Sequence, residues 1–176
     1  KVEQYLLEVI NSNTSAIQLY KKQGFEVIRN FACLQLDKNK FRSMTNYKVE
    51  HVDRINSTNW KLLTEFWDFT PSWQNSIDSI SNVSDTFIYS IIYFDDTIVG
   101  YGIIDKKTGD IPQIAVNKNY RRKGIARSII ADLIENTESC RVAVLNVDDE
   151  CKSTKEFLLG LGFEHFIDQY EMILKL

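Results

Sequence analysis

The fold is decided by the stretch Ile114-Ala-Val-Asn-Lys-Asn-Tyr-Arg-Arg-Lys-Gly-Ile-Ala-Arg-Ser128, in which an apolar strand leads through a polar turn into an amphipathic helix. The first turn of a helix has unpaired main-chain N–H groups and the positive end of the helix dipole, and both attract phosphate. Gly124 has no Cβ, so the main chain can approach a phosphate closely. Arg121, Arg122 and Lys123 add positive charge just before it. The stretch therefore predicts a binding site for a polyphosphate.

Composition limits the partners that the chain can have. The 176 residues are 44% hydrophobic and carry a net charge of −3, so we expect a sizeable core and no general attraction to nucleic acid or to an anionic membrane. No apolar run approaches the roughly 20 residues of a membrane-spanning helix, and no signal peptide is apparent. The three cysteines lack the spacing of a zinc site, and the sequence has two histidines. We therefore expect no metal site, and a reducing cytoplasm as the compartment.

An internal repeat organises the chain. Residues 7–36 align without gaps on residues 145–174, at an offset of 138, with seven identities that include Gly-Phe-Glu in both copies. Each copy is predicted to contain a strand, a helix, a break and two short strands. A long run of predicted elements precedes the second copy, whereas six residues precede the first. We therefore expect residues 1–43 to be the C-terminal half of one domain and residues 44–176 to be a complete domain.

The complete domain is predicted to be α+β with a mixed sheet. Its elements follow the order β-αα-βββ-α-β-α-ββ, and β-α-β-β precedes them in residues 1–43. Residues 1–43 alone would expose a sheet edge and an apolar helix face. We expect them to pack against the complete domain or, in a homodimer, against a second chain.

The chain resembles the GNAT superfamily of acetyl-CoA-dependent N-acetyltransferases. The family's phosphate motif, Gln/Arg-x-x-Gly-x-Gly/Ala, is matched by Arg-Arg-Lys-Gly-Ile-Ala at 121–126, and the order of elements matches over residues 44–176. Residues 1–43 resemble the C-terminal half of the same fold, as in a tandem protein. The resemblance implies a mixed, mostly antiparallel central sheet flanked by helices, acetyl-CoA as co-substrate, and an amine of a small molecule or peptide as acceptor.

Other interpretations of the basic residues Arg121, Arg122 and Lys123, and of the glycine that follows them, are weaker. The P-loop pattern Gly-x4-Gly-Lys-Ser/Thr does not occur. Gly100-Tyr-Gly102 lies inside a predicted strand and has no following helix, so a dinucleotide-binding fingerprint fails. A solvated charged turn is the remaining alternative.

The resemblance also implies where coenzyme A binds. Its pantetheine arm would lie where the strand at 114–116 parts from the strand at 142–147, much like an added strand. A main-chain N–H near the end of the first strand would polarise the thioester carbonyl. The residues expected to bind the cofactor are Ile114, Ala115, Val116, Arg121, Arg122, Lys123, Gly124, Ile125, Ala126, Arg127, Ser153 and Phe157.

Two candidate catalytic residues flank this region. An alkyl amine has a pKa near ~10.4, so a base must remove a proton before it attacks. Asp110, at the start of the strand, is nominated as that base; the alternative is that Gly109-Asp110 only closes a hairpin turn. Asn146 interrupts an apolar strand, so its amide either faces the ligand or is satisfied within the protein.

The general acid is a departure from the family. Many members use a helix tyrosine to reprotonate the thiolate of coenzyme A, and Tyr20 of the first copy fits that position. The second copy has Leu158 there, and Cys151 where the first copy has Asn13. Tyr170 or water is then the candidate acid. The alternative function is a catalytically weak module that binds coenzyme A for regulation or assembly.

Three further residues are candidates for contact with the acceptor. Trp73 and Tyr101 lie in segments that line the acceptor side in the resembled fold, although such aromatic residues are more often part of a core. Gln113 would position the amine.

Overall fold

The computed structural model describes residues 2–42 and 45–176. Its strands are β1 (Gln4–Ile10), β2 (Glu26–Asp37), β3 (Glu50–Val52), β4 (Phe87–Phe94), β5 (Thr97–Asp105), β6 (Gln113–Val116), β7 (Arg141–Asp148) and β8 (Glu164–Lys175). Its α-helices are α1 (Thr14–Lys22), α2 (Ser57–Thr64), α3 (Ile77–Asn82), α4 (Ile125–Asn136) and α5 (Lys152–Gly160). The predicted α+β class, with antiparallel sheet flanked by helices, is confirmed. No helix of the described ranges is long and apolar enough to cross a membrane.

The strands form two antiparallel sheets. The first has the order β3-β4-β5-β6 and the second has the order β1-β8-β2-β7. An isolated parallel bridge between Asp110 and Ala143 links them near the starts of β6 and β7. There, Ile111 N–H donates to Ala143 C=O at 2.8 Å and Ala143 N–H donates to Gly109 C=O at 3.0 Å. Beyond this junction, β6 and β7 belong to different sheets, so a gap opens between them.

The internal repeat is also a repeat of structure. The bounds of α5 and β8 are those of α1 and β2 displaced by the same 138 residues. Gly24 and Gly162 both have a φ of +95°, a conformation that glycine adopts readily where a helix ends. The copies exchange strands, because β1 pairs with β8, β7 pairs with β2, and β2 and β8 lie side by side. The second sheet is therefore built from both copies.

The prediction of two short strands at the end of each copy is wrong. Each predicted pair is one continuous twelve-residue strand, β2 in the first copy and β8 in the second. The polar residues 168–169 resemble a turn, but β8 is paired on both sides there: Gln169 lies opposite Ile10 of β1 and Phe31 of β2. These long-range hydrogen bonds override the local preference. The order is therefore β-α-β followed by β-αα-βββ-α-β-α-β.

Strands β1 and β2, which belong to the first segment, are integrated into the second sheet. Their strand β2 lies between β7 and β8, so the predicted packing against the second segment is confirmed. A homodimer through these residues stays a prediction. The predicted boundary between residues 1–43 and 44–176 falls on residues 43 and 44, outside the described residues, and the division into a half-domain and a complete domain also stays a prediction.

Two glycines let α4 pack directly on β5. A Cβ on Gly102 would lie 2.5 Å from Ile129 Cγ2, and a Cβ on Gly100 would lie 2.8 Å from Ile125 Cγ2. Both distances are shorter than any ordinary contact, and both isoleucines are buried. The close approach fixes the start of α4 against the sheet.

We expect Gly102→Ala to lower the free energy of unfolding by about 1–3 kcal/mol, because its methyl group overpacks the interface with α4. Gly160→Ala is the matched control: a Cβ there meets nothing within 4 Å, and alanine in a helix is neutral or stabilising by up to about 1 kcal/mol. Urea denaturation measures both values. Equal effects of the two substitutions would contradict the close packing.

Candidate active site

A cavity of about 660 Å³ lies where β6 and β7 part. Residues 114–116 of β6 and residues 144–147 of β7 form opposite walls, and the starts of α4 and α5 contribute to the lining. Residues from the segment between α2 and α3 complete it. The volume is within the range of sites that bind small molecules and cofactors.

At one end of the cavity the main chain turns into α4. Arg122 and Gly124 have φ values of +60° and +86°, and Gly124 precedes the helix without a side-chain cap. Ser128 N–H donates to Gly124 C=O at 3.0 Å. The amides of residues 125–127, which line the cavity, therefore have no carbonyl acceptor one turn earlier in the helix. Together with the helix dipole, they form a site suited to an anion.

Arg121 is held by protein groups. Its guanidinium donates to Val116 C=O at 3.1 Å and to Phe66 C=O at 2.8 Å, and it pairs with Asp68 at 2.9 Å. The side chain lines the cavity and ties the segment after α2 to the end of β6. The sequence predicts a phosphate contact for this residue, but the structure gives its guanidinium three contacts within the protein.

The other cations in and next to the motif, Arg122, Lys123 and Arg127, are exposed. Arg122 and Arg127 line the cavity mouth, where their charge is available to an anion. Lys123 does not line the cavity; its ammonium lies 5.1 Å from the centre of the Tyr120 ring. Its carbonyl accepts a 2.6 Å hydrogen bond from the Tyr47 hydroxyl, which steadies the turn before α4.

A chain of hydrogen bonds crosses between the parted strands. Trp67 Nε1 donates to the Tyr101 hydroxyl at 2.6 Å, and that hydroxyl donates to Gln113 Oε1 at 2.7 Å. Gln113 Nε2 then donates to Asn75 C=O at 2.6 Å, and Asn75 Nδ2 donates to Leu145 C=O at 3.2 Å. Burial raises the pKa of Tyr101, so its hydroxyl stays neutral and serves as both donor and acceptor. The chain thus joins β6 to β7 across the cavity.

Asn146 lies in an irregular part of β7. Leu34 of β2 faces Val144 and Ala32 faces Val147, so the pairing register shifts across Leu145 and Asn146. Asn146 has a φ of +60°, which asparagine tolerates better than most residues. It lines the cavity, and its Nδ2 donates to Ser72 Oγ at 3.0 Å. Its amide therefore has a partner within the protein while the residue borders the cavity, and contact with a ligand stays a prediction.

Within residues 2–42 and 45–176, no three His, Cys, Asp or Glu side chains are grouped so that they could hold a metal ion. The described geometry is thus a cavity with an apolar gap, polar side chains and free helix amides.

The comparisons with known proteins agree with this geometry. A family model described as an acetyltransferase (GNAT) domain matches residues 63–172, more than half of the chain. The chain belongs to the GNAT acetyltransferase family. Among curated proteins, none matches it in sequence.

Solved structures show the same GNAT fold. The chain is similar to a GCN5-related N-acetyltransferase from Sphaerobacter thermophilus (TM-score 0.65, 15% identity, 98% of this chain and 60% of that one). It is also similar to a GCN5-related N-acetyltransferase from Kribbella flavida (0.65, 12%, 95% and 66%). A third similar structure is a tandem GNAT protein from the clavulanic acid biosynthesis pathway, solved without AcCoA (0.66, 11%, 98% and 64%). The chain thus spans 60–66% of the length of these three structures.

The cavity of this GNAT protein brings together most of the residues singled out from the sequence. Those that line it are Ile114, Ala115, Val116, Arg121, Arg122, Gly124, Ile125, Ala126, Arg127, Ser153, Phe157, Asn146, Tyr101 and Gln113.

Asp110 is not part of the cavity lining. Its carboxylate accepts a 2.9 Å hydrogen bond from Thr108 Oγ1, and its main chain forms the bridge to Ala143. The turn interpretation of Asp110 therefore matches the structure, because the residue lies where β6 and β7 are still joined.

Tyr170 and Trp73 also lie outside the lining. Tyr170 is in β8, where it packs against a small cluster formed by Val9, Ile17 and Met172. Trp73 is 46% exposed and lies in a short 3-10 turn. Neither position brings the side chain to the parted strands.

One wall of the cavity contains none of the site residues nominated from the sequence. This wall comes from the irregular segment after α2, which includes Phe66, Trp67, Asp68, Phe69, Pro71 and Asn75. Other lining residues that were not nominated are Pro112, Tyr120, Thr154 and Glu156, whereas Val144, Leu145 and Val147 belong to the strand that the resemblance places beside the gap. The local signal was the break at Pro71 within an aromatic-rich segment, which marked a loop but not its position.

We expect Tyr101→Phe to lower the free energy of unfolding by about 1–3 kcal/mol, because it leaves Trp67 Nε1 and Gln113 Oε1 without their partner inside the protein. Tyr5→Phe is the control: Tyr5 is 50% exposed, so the loss of its hydroxyl should cost less than about 0.5 kcal/mol. Chemical denaturation measures both. An equally small effect at both positions would contradict a buried, connected chain of hydrogen bonds.

Proposed function

We propose that this GNAT protein transfers an acetyl group from acetyl-CoA to a primary amine of a small molecule or peptide. The observation that carries the proposal is one continuous cavity, which runs from the gap between β6 and β7 to the unpaired amides at the start of α4. A ligand with an extended arm and a diphosphate matches these two features.

The diphosphate would be held by the main chain at the start of α4. The amides of residues 125–127 are donors without helical acceptors, and Gly124 leaves room for a close approach. The exposed guanidinium groups of Arg122 and Arg127 add charge at the mouth of the cavity. Arg121 would act indirectly, because its contacts with Phe66 and Asp68 hold the adjacent wall.

The arm would lie in the gap between the strands. The facing edges of residues 114–116 and 144–147 supply main-chain donors and acceptors, and Ser153 and Phe157 of α5 line the same space. When bound, acetyl-CoA supplies an acyl group that is activated as a thioester. A main-chain N–H near Ala115 or Val116 would donate to the carbonyl oxygen as negative charge develops there.

The acceptor amine would enter beside the polar chain across the strands. Gln113, Asn75 and Asn146 offer amide groups at the end of β6 that is remote from α4. Holding both partners in line supplies a large part of the rate. Because Asp110 and Tyr170 lie outside the lining, we assign neither of them a proton transfer. Water would take the proton that the amine loses as its bond to the carbonyl carbon forms, and would protonate the coenzyme A thiolate as the thioester bond breaks.

A second candidate function is a module that binds coenzyme A with little turnover. The specific observation is that, of the three catalytic residues nominated from the sequence, Asn146 alone lines the cavity. In addition, Leu158 is fully buried at the position of the family's helix tyrosine. Both candidates share the cofactor site and differ in product formation.

We expect Gly124→Ala to weaken coenzyme A binding by about tenfold or more, because a residue with a Cβ is strained at a φ of +86° and the turn before α4 must change. Isothermal titration calorimetry measures the affinity, with Gly160→Ala as control at a helix position that lies outside the cavity. Equal affinity for both variants would overturn the placement of the diphosphate.

Turnover separates the two candidates. We expect the protein to release free thiol from acetyl-CoA in the presence of at least one amine of a broad panel. We also expect Asp110→Asn to keep kcat within about twofold, since the Asp110 carboxylate lies in a turn. Coenzyme A binding without thiol release from any amine would favour the binding module. A loss of about a hundredfold in Asp110→Asn would restore Asp110 as the base.

A further inference from the structure

The segment 70–75 between α2 and α3 connects two parts of the molecule. Pro71 and Asn75 line the cavity. Asn75 contacts both parted strands, because it accepts from Gln113 of β6 and donates to the carbonyl of Leu145 of β7. The placement of this segment therefore sets the distance and orientation of polar groups at the acceptor end of the cavity.

The opposite side of the same segment contacts the first copy of the repeat. The carbonyl of Thr70 accepts a 2.6 Å hydrogen bond from Arg29 Nη1 of β2. Gln74 Nε2 donates to the carboxylate of Glu8 of β1. Between them, Ser72 lies near the Glu8 carboxylate. Alternate residues thus face the first copy, whereas Pro71 and Asn75 face the cavity.

Arg29 is a rigid anchor. Its guanidinium donates two hydrogen bonds to the Glu171 carboxylate, from Nε to Oε2 at 2.7 Å and from Nη2 to Oε1 at 3.0 Å. The Glu171 side chain is 2% exposed. Asp148 lies 3.8 Å away, and the guanidinium stacks 4.8 Å from the centre of the Phe31 ring. A bidentate, partly buried ion pair of this kind fixes the orientation of the guanidinium as well as the position of its charge. The remaining nitrogen of the guanidinium, Nη1, is therefore directed at the carbonyl of Thr70.

Glu8 lies near a buried side chain that contacts the lining of the cavity. Ser72 is fully buried and accepts from Asn146 Nδ2 at 3.0 Å, so a side chain that lies near Glu8 also contacts Asn146. The two residues are also equivalent in the repeat, since they are separated by 138 positions. Burial raises the pKa of Glu8, as does the negative charge of Glu171, while the nearby Ser72 hydroxyl and the positive charge of Arg29 reduce the increase.

We propose that Glu8 and Arg29 are positioning residues for the acceptor side of the cavity. They hold the segment 70–75 so that Asn75 and Asn146 keep their places between the parted strands. The inference rests on the proposed function for the identity of the acceptor, an amine. It adds that the first copy of the repeat, remote in sequence from the phosphate motif, sets how that amine is bound.

The test uses Glu8→Ala and Arg29→Lys in the full chain, with Glu3→Ala as the matched control, because Glu3 is an exposed residue just before β1. Hydrogen–deuterium exchange reports on the segment directly. We expect the amides of Thr70 and of residues 72–75 to exchange about tenfold faster in both variants and at the wild-type rate in Glu3→Ala. Unchanged exchange in Glu8→Ala and Arg29→Lys would overturn the proposal.

Kinetics test the consequence for binding. We expect the KM for the amine to rise about tenfold while kcat and the Kd of coenzyme A stay within about twofold, because the acceptor end is disturbed and the phosphate end is not. Glu8→Gln keeps an acceptor oxygen, so its KM for the amine should lie close to the wild-type value and well below that of Glu8→Ala. If coenzyme A binding weakens as much as amine binding, the residues support the whole cavity and the proposal is wrong.

The two proposals fail in different ways. If wild-type protein turns over no amine, the proposed acetyl transfer fails, whereas the exchange experiment still decides whether Glu8 and Arg29 hold the segment. If Glu8→Ala does not fold, Arg29→Lys and Glu8→Gln carry the test, since each keeps a similar side chain at its position. Normal exchange in Arg29→Lys would then contradict the anchoring of Thr70.

Discussion

The site depends on the divergence of two neighbouring strands. β6 and β7 are bridged at Asp110 and Ala143 and then pass into different sheets, which leaves main-chain edges facing a cavity instead of each other. Unpaired edges of this kind are costly unless water, a ligand or side chains satisfy them. Here the amides of Gln113 and Asn75 span the opening, and the register shift at Asn146 keeps β7 from continuing the pairing. The opening is therefore a built feature of the fold, and it leads to the free amides at the start of α4.

The repeat explains how the second sheet tolerates this opening. Since β7 is parted from β6, its other edge is secured by β2, and β8 is held between β1 and β2. The strand exchange places the first copy beside the loop that forms one wall of the cavity. Arg29 and Glu171 are paired at this junction, with two hydrogen bonds to a buried carboxylate. The starts of α4 and α5 contribute to the lining of the cavity, whereas the segment after α2 is contacted by residues of the first copy.

The parts of this structure that follow from local physics could be predicted from the sequence. Glycine adopts a positive φ readily, as Gly124 does, and α4 has a clear apolar stripe. The turn and the helix of the motif were therefore placed correctly. The repeated Gly-Phe-Glu located both helix ends, and the family resemblance located the parted strands. The parts set by distant contacts were not predicted. The continuity of β8 through Gln169 depends on pairing with both neighbours, and the inward placement of the segment after α2 depends on Arg121 and Arg29. Asp110 was ambiguous for a similar reason, because a turn residue and a catalytic carboxylate have the same local sequence.

The most direct measurement is a crystal structure of the protein soaked with acetyl-CoA. The expected result is a diphosphate within hydrogen-bonding distance of the amides of residues 125–127, with the thioester arm between residues 114–116 and 144–147 and the acetyl group beside Asn75. Density for the ligand outside the gap between β6 and β7, or a diphosphate held by side chains away from α4, would contradict the central claim that the parted strands and the start of α4 form one cofactor site.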